Sequence, residues 1–426
     1  MANSVLKKQV LTCLMLMSSS VLAEGIVDFK PYVYTSVTYD DNLFRYASEA
    51  EAKANSITNR SDVVKTLGAG LAVNLRLSRQ LLSASVNLSE NKFDRYSSLD
   101  NTGKSMNLAW NWRVGSDLYG VISASESESI SSFSDTKDTS RNLKKYTKER
   151  VSLNWNFMPS WTIYGTADLS DLQNERVSQQ SLDREDKGYE IGLNYSNPLG
   201  TQLGVFIREI DSQYPNRNNV LIPIALGGGF FGTLPLSAVY GSEATNMQYG
   251  VNLAWLPTHK LRVSSRISLV DFETNVRTRA IATGLPINPF YTVKSRDFTG
   301  VNQRWDLSYT LTSKTNVGLT AYDEIAQVDS LQTLSVKNRG IAANLNWSIT
   351  SKVGFRSGLT FGKRDYQGDA GVDNNDKSMG LNLGLTYLPT SKSLIQLEYQ
   401  GGKRDANISV NDYQFNSINF LAQYNF

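Results

Sequence analysis

The chain ends on Ser417-Ile418-Asn419-Phe420-Leu421-Ala422-Gln423-Tyr424-Asn425-Phe426, and the reading of this stretch decides the fold. Ile418, Phe420, Ala422, Tyr424 and Phe426 occupy alternate positions, with Ser417, Asn419, Gln423 and Asn425 between them. Side chains of a strand point to opposite faces in turn, so this segment is a strand with one apolar and one polar face.

The same period of two runs back through the chain. Leu381, Leu383, Leu385 and Tyr387 alternate with Asn382, Gly384 and Thr386. Val151, Leu153, Trp155 and Phe157 alternate with Ser152, Asn154 and Asn156, and Met106, Leu108, Trp110 and Trp112 with Asn107 and Asn111. Helical spacing is not sustained beyond the N-terminal segment. Strands come in pairs joined by tight turns near Ser78-Arg79, Gly115–Asp117, Pro159-Ser160, Pro198–Gly200, Pro257–His259, Thr312–Lys314, Thr350–Lys352 and Pro389–Ser391, where Pro, Gly, Ser and Thr set the turn. Longer polar connections separate the pairs, such as Glu126–Lys145, Ser170–Lys187 and Arg364–Lys377. Eight pairs, a first strand at about Val27–Tyr39 and a last at about Tyr413–Phe426 predict eighteen antiparallel strands. Short turns at one end and long loops at the other are the construction of bacterial outer-membrane barrels. On that reading Ser116, Pro159, Thr258 and Ser351 lie in periplasmic turns, and Glu128, Asp183 and Asp373 in outer loops.

Lys7 and Lys8 before the apolar run Val10–Leu22 have the pattern of a secretory signal peptide, with cleavage expected after Ala23 and the barrel over residues 24–426. Cys13 is the only cysteine and falls inside that leader, which excludes disulfide scaffolds and thiolate metal sites. After the leader no apolar run has the length of a membrane-spanning helix. The charged fraction is 19%, below the roughly 25% of ordinary soluble domains. With 43 basic and 40 acidic residues, no charge bias points to nucleic acid. The aromatic phase of the last strand and its terminal Phe426 are similar to the signal read by the barrel assembly machinery, with Tyr424 and Phe426 as its determinants. The expected location is therefore the outer membrane of a Gram-negative bacterium. There the apolar face meets lipid, and the sheet closes because hydrocarbon cannot satisfy an open edge.

The polar face then lines a lumen wide enough for water unless loops fill it. Strand parity turns Arg76, Arg113, Arg208, Arg262, Arg266, Arg304 and Arg356 inward, with fewer acids, namely Asp168, Glu190, Asp306 and Glu398. Tyr119, Tyr164, Phe206 and Tyr322 share that face. Such a wall favours anionic solutes, and the aromatic rings offer stacking surfaces for sugars. The alternative is that the charges pair and stiffen the wall. Two long connections, Asp211–Asn246 and Phe272–Ser295, are too apolar for solvated loops. Leu221, Ile222, Leu226, Phe230 and Phe231 in the first are candidates for a gate, the other reading being packing between loops.

The common catalytic constellations have no carrier here, a carboxylate pair being the one arrangement the sequence leaves open. His259 is the single histidine and sits in an expected turn, so no Ser/His/Asp set or histidine metal site can form. Gly227-Gly228-Gly229 lacks the Lys-Ser/Thr and strand–helix context of a phosphate loop. Asp369, Asp373 and Asp376 have carboxylates suited to calcium, against the plainer reading of a solvated loop. No enzyme activity and no cofactor are expected.

Tyr39-Asp40-Asp41-Asn42-Leu43-Phe44-Arg45 at the end of the first strand resembles a motif near the start of the EpsL-type exopolysaccharide-biosynthesis outer-membrane β-barrel family. Lys363-Arg364-Asp365-Tyr366, Lys403-Arg404-Asp405-Ala406-Asn407 and Asp412-Tyr413 continue the likeness, with Ala406 standing where serine is expected. The resemblance implies a conduit exporting a polysaccharide, as in biofilm matrix secretion, with a periplasmic polysaccharide-export protein as partner. Two further classes stay open: a passive porin for small, anionic solutes or oligosaccharides, and a structural or adhesive barrel acting through its outer loops.

Overall fold

A computed structural model of the chain describes residues 27–426 apart from 135–137, 220, 228–229, 236–241, 276–278, 283–289, 294–296, 327–334, 368–374 and 408–410. The expected leader, Asp369 and Asp373 thus lie outside the described residues. The first strands are β1 (Val27–Asp40), β2 (Asp62–Leu77), β3 (Gln80–Phe93), β4 (Asn101–Val114), β5 (Leu118–Ile130) and β6 (Leu143–Met158). They are followed by β7 (Trp161–Asn174), β8 (Arg184–Ser196), β9 (Gln202–Gln213), β10 (Leu221–Gly227), β11 (Phe230–Pro235), β12 (Glu243–Thr258) and β13 (Leu261–Thr274). The remainder are β14 (Arg279–Ala282), β15 (Phe290–Val293), β16 (Phe298–Thr312), β17 (Thr315–Ala326), β18 (Ser335–Ser348), β19 (Val353–Gln367), β20 (Asn375–Tyr387), β21 (Ser393–Ala406) and β22 (Tyr413–Asn425).

Eighteen of these form one antiparallel sheet, as the alternation predicts, and the sheet closes on itself. The first strand pairs with the last from Tyr32 opposite Asn425 to Asp40 opposite Ser417. The Phe426 N–H then donates to the Pro31 carbonyl at 3.0 Å. The strands β10 and β11 form a separate two-stranded hairpin, as do β14 and β15. The wall therefore passes from β9 to β12 and from β13 to β16.

The described faces follow the sequence phase. Leu67, Leu108, Ile122, Leu153, Val205, Ile267, Leu319, Leu359 and Leu397 stand on the outside of the closed sheet. At the turn end this face carries Trp110, Trp155, Trp161, Trp255, Trp347, Tyr387 and Tyr424, all well exposed. A ring of indole and phenol groups at that level is the aromatic girdle of a membrane interface. No described helix is long and apolar enough to cross a membrane.

The turns fall where expected, with Ser116, Pro159, His259 and Ser351 outside strands. Thr258 is the last residue of β12, and its hydroxyl accepts the N–H groups of Lys260 and Leu261. Gly115 holds a φ of +63°, the left-handed backbone that a side chain disfavours. At the other end the strands run further than the sequence suggests. Glu128 belongs to β5 rather than to a loop, paired in register with Lys104 of β4 and Lys145 of β6, and the Lys104 ammonium donates to its carboxylate at 2.9 Å. Of the other two outer-loop residues, Asp183 ends the short helical turn Val177–Leu182, and Asp373 is outside the described residues. Polar sequence there reflects strands standing above the lipid, where both faces meet water.

Candidate functional site

The inner wall of β6–β9 and β12–β13 gathers its charges around two carboxylates. Glu190 on β8 is opposite Arg208 on β9, and its side chain is only 7% exposed. One Glu190 oxygen accepts from the Tyr164 hydroxyl at 2.8 Å and from Arg266 Nη1 at 3.2 Å. The other accepts from Arg266 Nη2 at 2.9 Å and from Arg208 Nη1 at 3.2 Å. Asp168 on β7 lies 3.5 Å from Arg208 and 3.6 Å from Arg150. Three guanidinium groups thus share two carboxylates. Half-buried, such pairs hold their geometry, and one positive charge is left in excess along this strip of wall.

Glycines let this layer lie flat. Gly192 stands opposite Tyr164, and a Cβ there would sit 2.4 Å from the Tyr164 ring. The ring therefore rests on β8 and reaches Glu190. Gly250 stands likewise opposite Phe206. The Arg266 guanidinium lies 3.6 Å from the centroid of Phe206, a cation–π contact across three strands. Tyr322 rests on Gly340 in the same way.

The other candidates divide into two groups. Arg304 pairs with Asp306 at 3.1 Å and lies 3.8 Å from Glu324, and Arg356 crosses Gly384 to pair with Glu398. Near the turn end, Arg113 lies 5.2 Å from the ring centroid of Tyr119, while Arg76 and Arg262 have no ion pair among the described residues. Much of the wall charge is thus paired, Lys30 with Asp28 at the turn end included, whereas Arg76, Arg113 and Arg262 have no ion pair among the described residues. The sequence reading missed Arg150, which shares the face of Ser152 and Asn154 and was legible from that parity.

The mouth is narrowed by loops the sequence reading did not single out. After β1 the chain turns inward and forms the helix α1 (Glu49–Ala54), capped where the Ser48 hydroxyl accepts the Glu51 N–H. Phe44, Tyr46, Ala52 and Ile57 bury themselves against Phe93 and Leu99, forming a small apolar core at the loop end. Phe133, from the loop between β5 and β6, packs edge-on against Phe44 at 4.9 Å. The candidate gate residues Leu221, Ile222, Leu226, Phe230 and Phe231 lie in the β10–β11 hairpin. Their side chains are outside the described residues.

The first of the resembling segments, Tyr39–Arg45, lies at the seam of the barrel. Asp40 and Arg45 form a two-point ion pair at 2.8 Å, and the Arg45 guanidinium lies 3.7 Å from the centroid of Phe415 on β22. Asp41 accepts from the backbone N–H and side-chain amide of Asn416, at 2.7 and 2.8 Å. The Asn42 amide donates to the carbonyls of Tyr46 and Gln414. Asp376, read from sequence as a loop carboxylate, lies on β20, fully buried between Arg364 at 3.0 Å and Arg404 at 2.7 Å. It also accepts from the Tyr366 hydroxyl. These contacts make Asp376 an ion-pair partner rather than a calcium ligand, and no metal-ligating cluster occurs among the described residues.

A family model described as "Putative beta-barrel porin 2" matches residues 292–423. No curated protein sequence matches the chain. Among solved structures, OccAB3 of Acinetobacter baumannii is 10% identical, with a TM-score of 0.45 and coverage of 94% of this chain and 99% of that one. OccK1 (OpdK) of Pseudomonas aeruginosa is 9% identical, with a TM-score of 0.47 and coverage of 94% and 98%. The alcaligin receptor FauA of Bordetella pertussis is 10% identical, with a TM-score of 0.42 and coverage of 93% and 76%. The closed sheet and the match over its last strands describe a porin-like β-barrel of the outer-membrane type.

Proposed function

We propose that the protein is a passive outer-membrane channel for small solutes with a preference for anions, delivered to the membrane by a leader cleaved after Ala23. The observation that carries this reading is the arrangement of Arg150, Arg208 and Arg266 around Asp168 and Glu190 on the inner wall. The carboxylates fix the guanidinium groups in place without cancelling them. A strip of fixed positive charge beside a water-filled path raises the local concentration of anions. Arg76 and Arg262, unpaired near the turn end, extend the same bias towards the exit.

Export of an exopolysaccharide is the second reading, favoured by the resemblance of Tyr39–Arg45 and the last hairpins. In it a periplasmic export protein docks on the short turns and a polymer passes through. Asp40, Asp41, Asn42 and Arg45 support it weakly, because their side chains serve closure of the sheet. A polymer would also have to move aside the packed core of Phe44, Tyr46 and Phe133.

The two readings separate in planar bilayers and in cells. The purified barrel in a salt gradient is expected to show an anion-selective reversal potential. Arg150→Gln with Arg266→Gln should move it towards zero, and Glu190→Gln should move it the other way. Deleting the gene should slow uptake of small organic anions and leave polysaccharide secretion intact. Lost secretion, together with no ion preference in the bilayer, favours the conduit.

A further inference from the structure

The outer wall carries a cationic patch for which solute passage has no use. Across the loop end of β17–β21 one outward row reads Asp323, Arg339, Lys363, Lys377 and Asp405, each residue directly opposite the next. Three cations therefore stand side by side on adjacent strands. Like charges facing each other across strands are destabilising when nothing lies between them.

The neighbouring acids offset only part of this. Asp365 takes Arg339 at 3.1 Å and Lys363 at 2.8 Å, and Asp405 takes Lys403 at 2.8 Å. Asp323 lies 3.4 Å from Lys337 and 3.8 Å from Arg339. Lys377 has no ion pair among the described residues. Elsewhere at this level opposite charges meet, as in Lys104 with Glu128 at 2.9 Å and Lys145 with Glu126 at 3.1 Å.

One step towards the membrane, the next row is Ile341, Phe361 and Met379, with Lys403 opposite Met379. The three apolar side chains are 52%, 51% and 51% exposed and line one shallow groove with the cations above them. Below them the outward face continues as Leu359, Leu383 and Leu397. Fixed cations directly above a half-exposed apolar row are complementary to a lipid with a phosphorylated headgroup.

We propose that this patch is a binding site for a phosphorylated glycolipid of the outer leaflet. Its phosphate would sit between Arg339, Lys363 and Lys377, and an acyl chain would lie on Ile341, Phe361 and Met379. Inorganic phosphate has no use for the apolar row. A zwitterionic phospholipid brings its own ammonium to compete with the lysines.

The test uses the full-length barrel in detergent, titrated with bisphosphorylated lipid A and followed by native mass spectrometry and thermal unfolding. The wild type is expected to retain one lipid A, and Lys363→Gln with Lys377→Gln to retain it about tenfold more weakly. Lys104→Gln, on another part of the wall, should behave as wild type. Without lipid the double variant should unfold at the same or a higher temperature, since the repulsion is gone, and added lipid A should raise only the wild-type midpoint. Equal retention by the double variant overturns the proposal, as does equal binding of dephosphorylated lipid A or phosphatidylethanolamine. Displacement of the lipid by millimolar inorganic phosphate alone would reduce the patch to a simple anion site and overturn it too.

Discussion

Arg404 Nη1 donates to the carbonyl of Ser134 at 2.8 Å, tying β21 to a loop that leaves the wall at β5. Along the sheet the two are separated by β4, β3, β2, β1 and β22, so the loop spans the mouth as a chord. Arg404 is held in place by buried Asp376 and by the Tyr366 hydroxyl, so the far wall fixes where the loop lands. The mouth is narrowed by a segment anchored at both sides.

Loosening that chord should widen the path without unfolding the barrel. Arg404→Lys keeps a cation beside Asp376 but lacks the planar fork that serves Asp376, Tyr366 and Ser134 together. Combined with Phe133→Ser, which removes the packing on Phe44, it should cost the loop about 2 kcal/mol or more of anchoring. Single-channel recordings should then show a larger and noisier conductance. A conductance like that of wild type would place the constriction elsewhere.

The seam makes a second prediction. Asp41 and Asn416 join the loop after β1 to β22 by two hydrogen bonds to one carboxylate. Asp41→Ala and Asn416→Ala should each lower the unfolding free energy obtained from urea titration of the folded barrel, by about 1–3 kcal/mol for Asp41. The double variant should lose less than the two together, because one interaction is removed twice. Strictly additive losses would mean that the pair does not couple across the seam.

How much of this was legible in the sequence depends on the range of each interaction. Alternation such as Leu381, Leu383, Leu385 is local, so strand number, phase and turn positions could be read directly. Parity also put Arg208, Arg266 and Glu190 on one face. Their convergence was not legible, because it depends on Gly192 and Gly250 lying opposite Tyr164 and Phe206, a matter of register between separate strands. The Tyr39–Arg45 motif is legible as a resemblance, but its role in closure needs β22 alongside. Phe44 and Phe133 gave no periodic signal, and their contact crosses loops far apart in sequence.

The loop chord should also respond to acid. Burial alone would raise the Asp138 carboxyl, but hydrogen bonds from Arg176 and the Ser140 N–H, with the Arg176 charge, hold it below its ordinary value. A lowered value in the folded state means the ion pair contributes fully above the unfolded carboxylate range, about pH 4, and is lost as the pH falls below it. Wild type and Asp138→Asn should therefore differ in protease sensitivity of this loop at neutral pH, and the difference should shrink as the pH falls below about 4. A difference that grows as the pH falls would remove Asp138 from the account.

The last strand separates assembly from stability. Tyr424 and Phe426 point outward at the turn end, 44% and 55% exposed, and meet edge to face at 5.3 Å. Neither ring enters a packed core, so their contact is worth about 1 kcal/mol to the finished barrel. The strand itself pairs on both sides through its backbone, with β1 and with β21, and needs no aromatic side chain for that. Replacing both rings by serine should thus leave the unfolding midpoint of barrel refolded in detergent nearly unchanged. In cells the same variant should yield much less heat-modifiable barrel, because the aromatic face is what the assembly machinery is proposed to read. A large loss of stability in vitro would make the rings structural, and normal yield in cells would remove them from assembly.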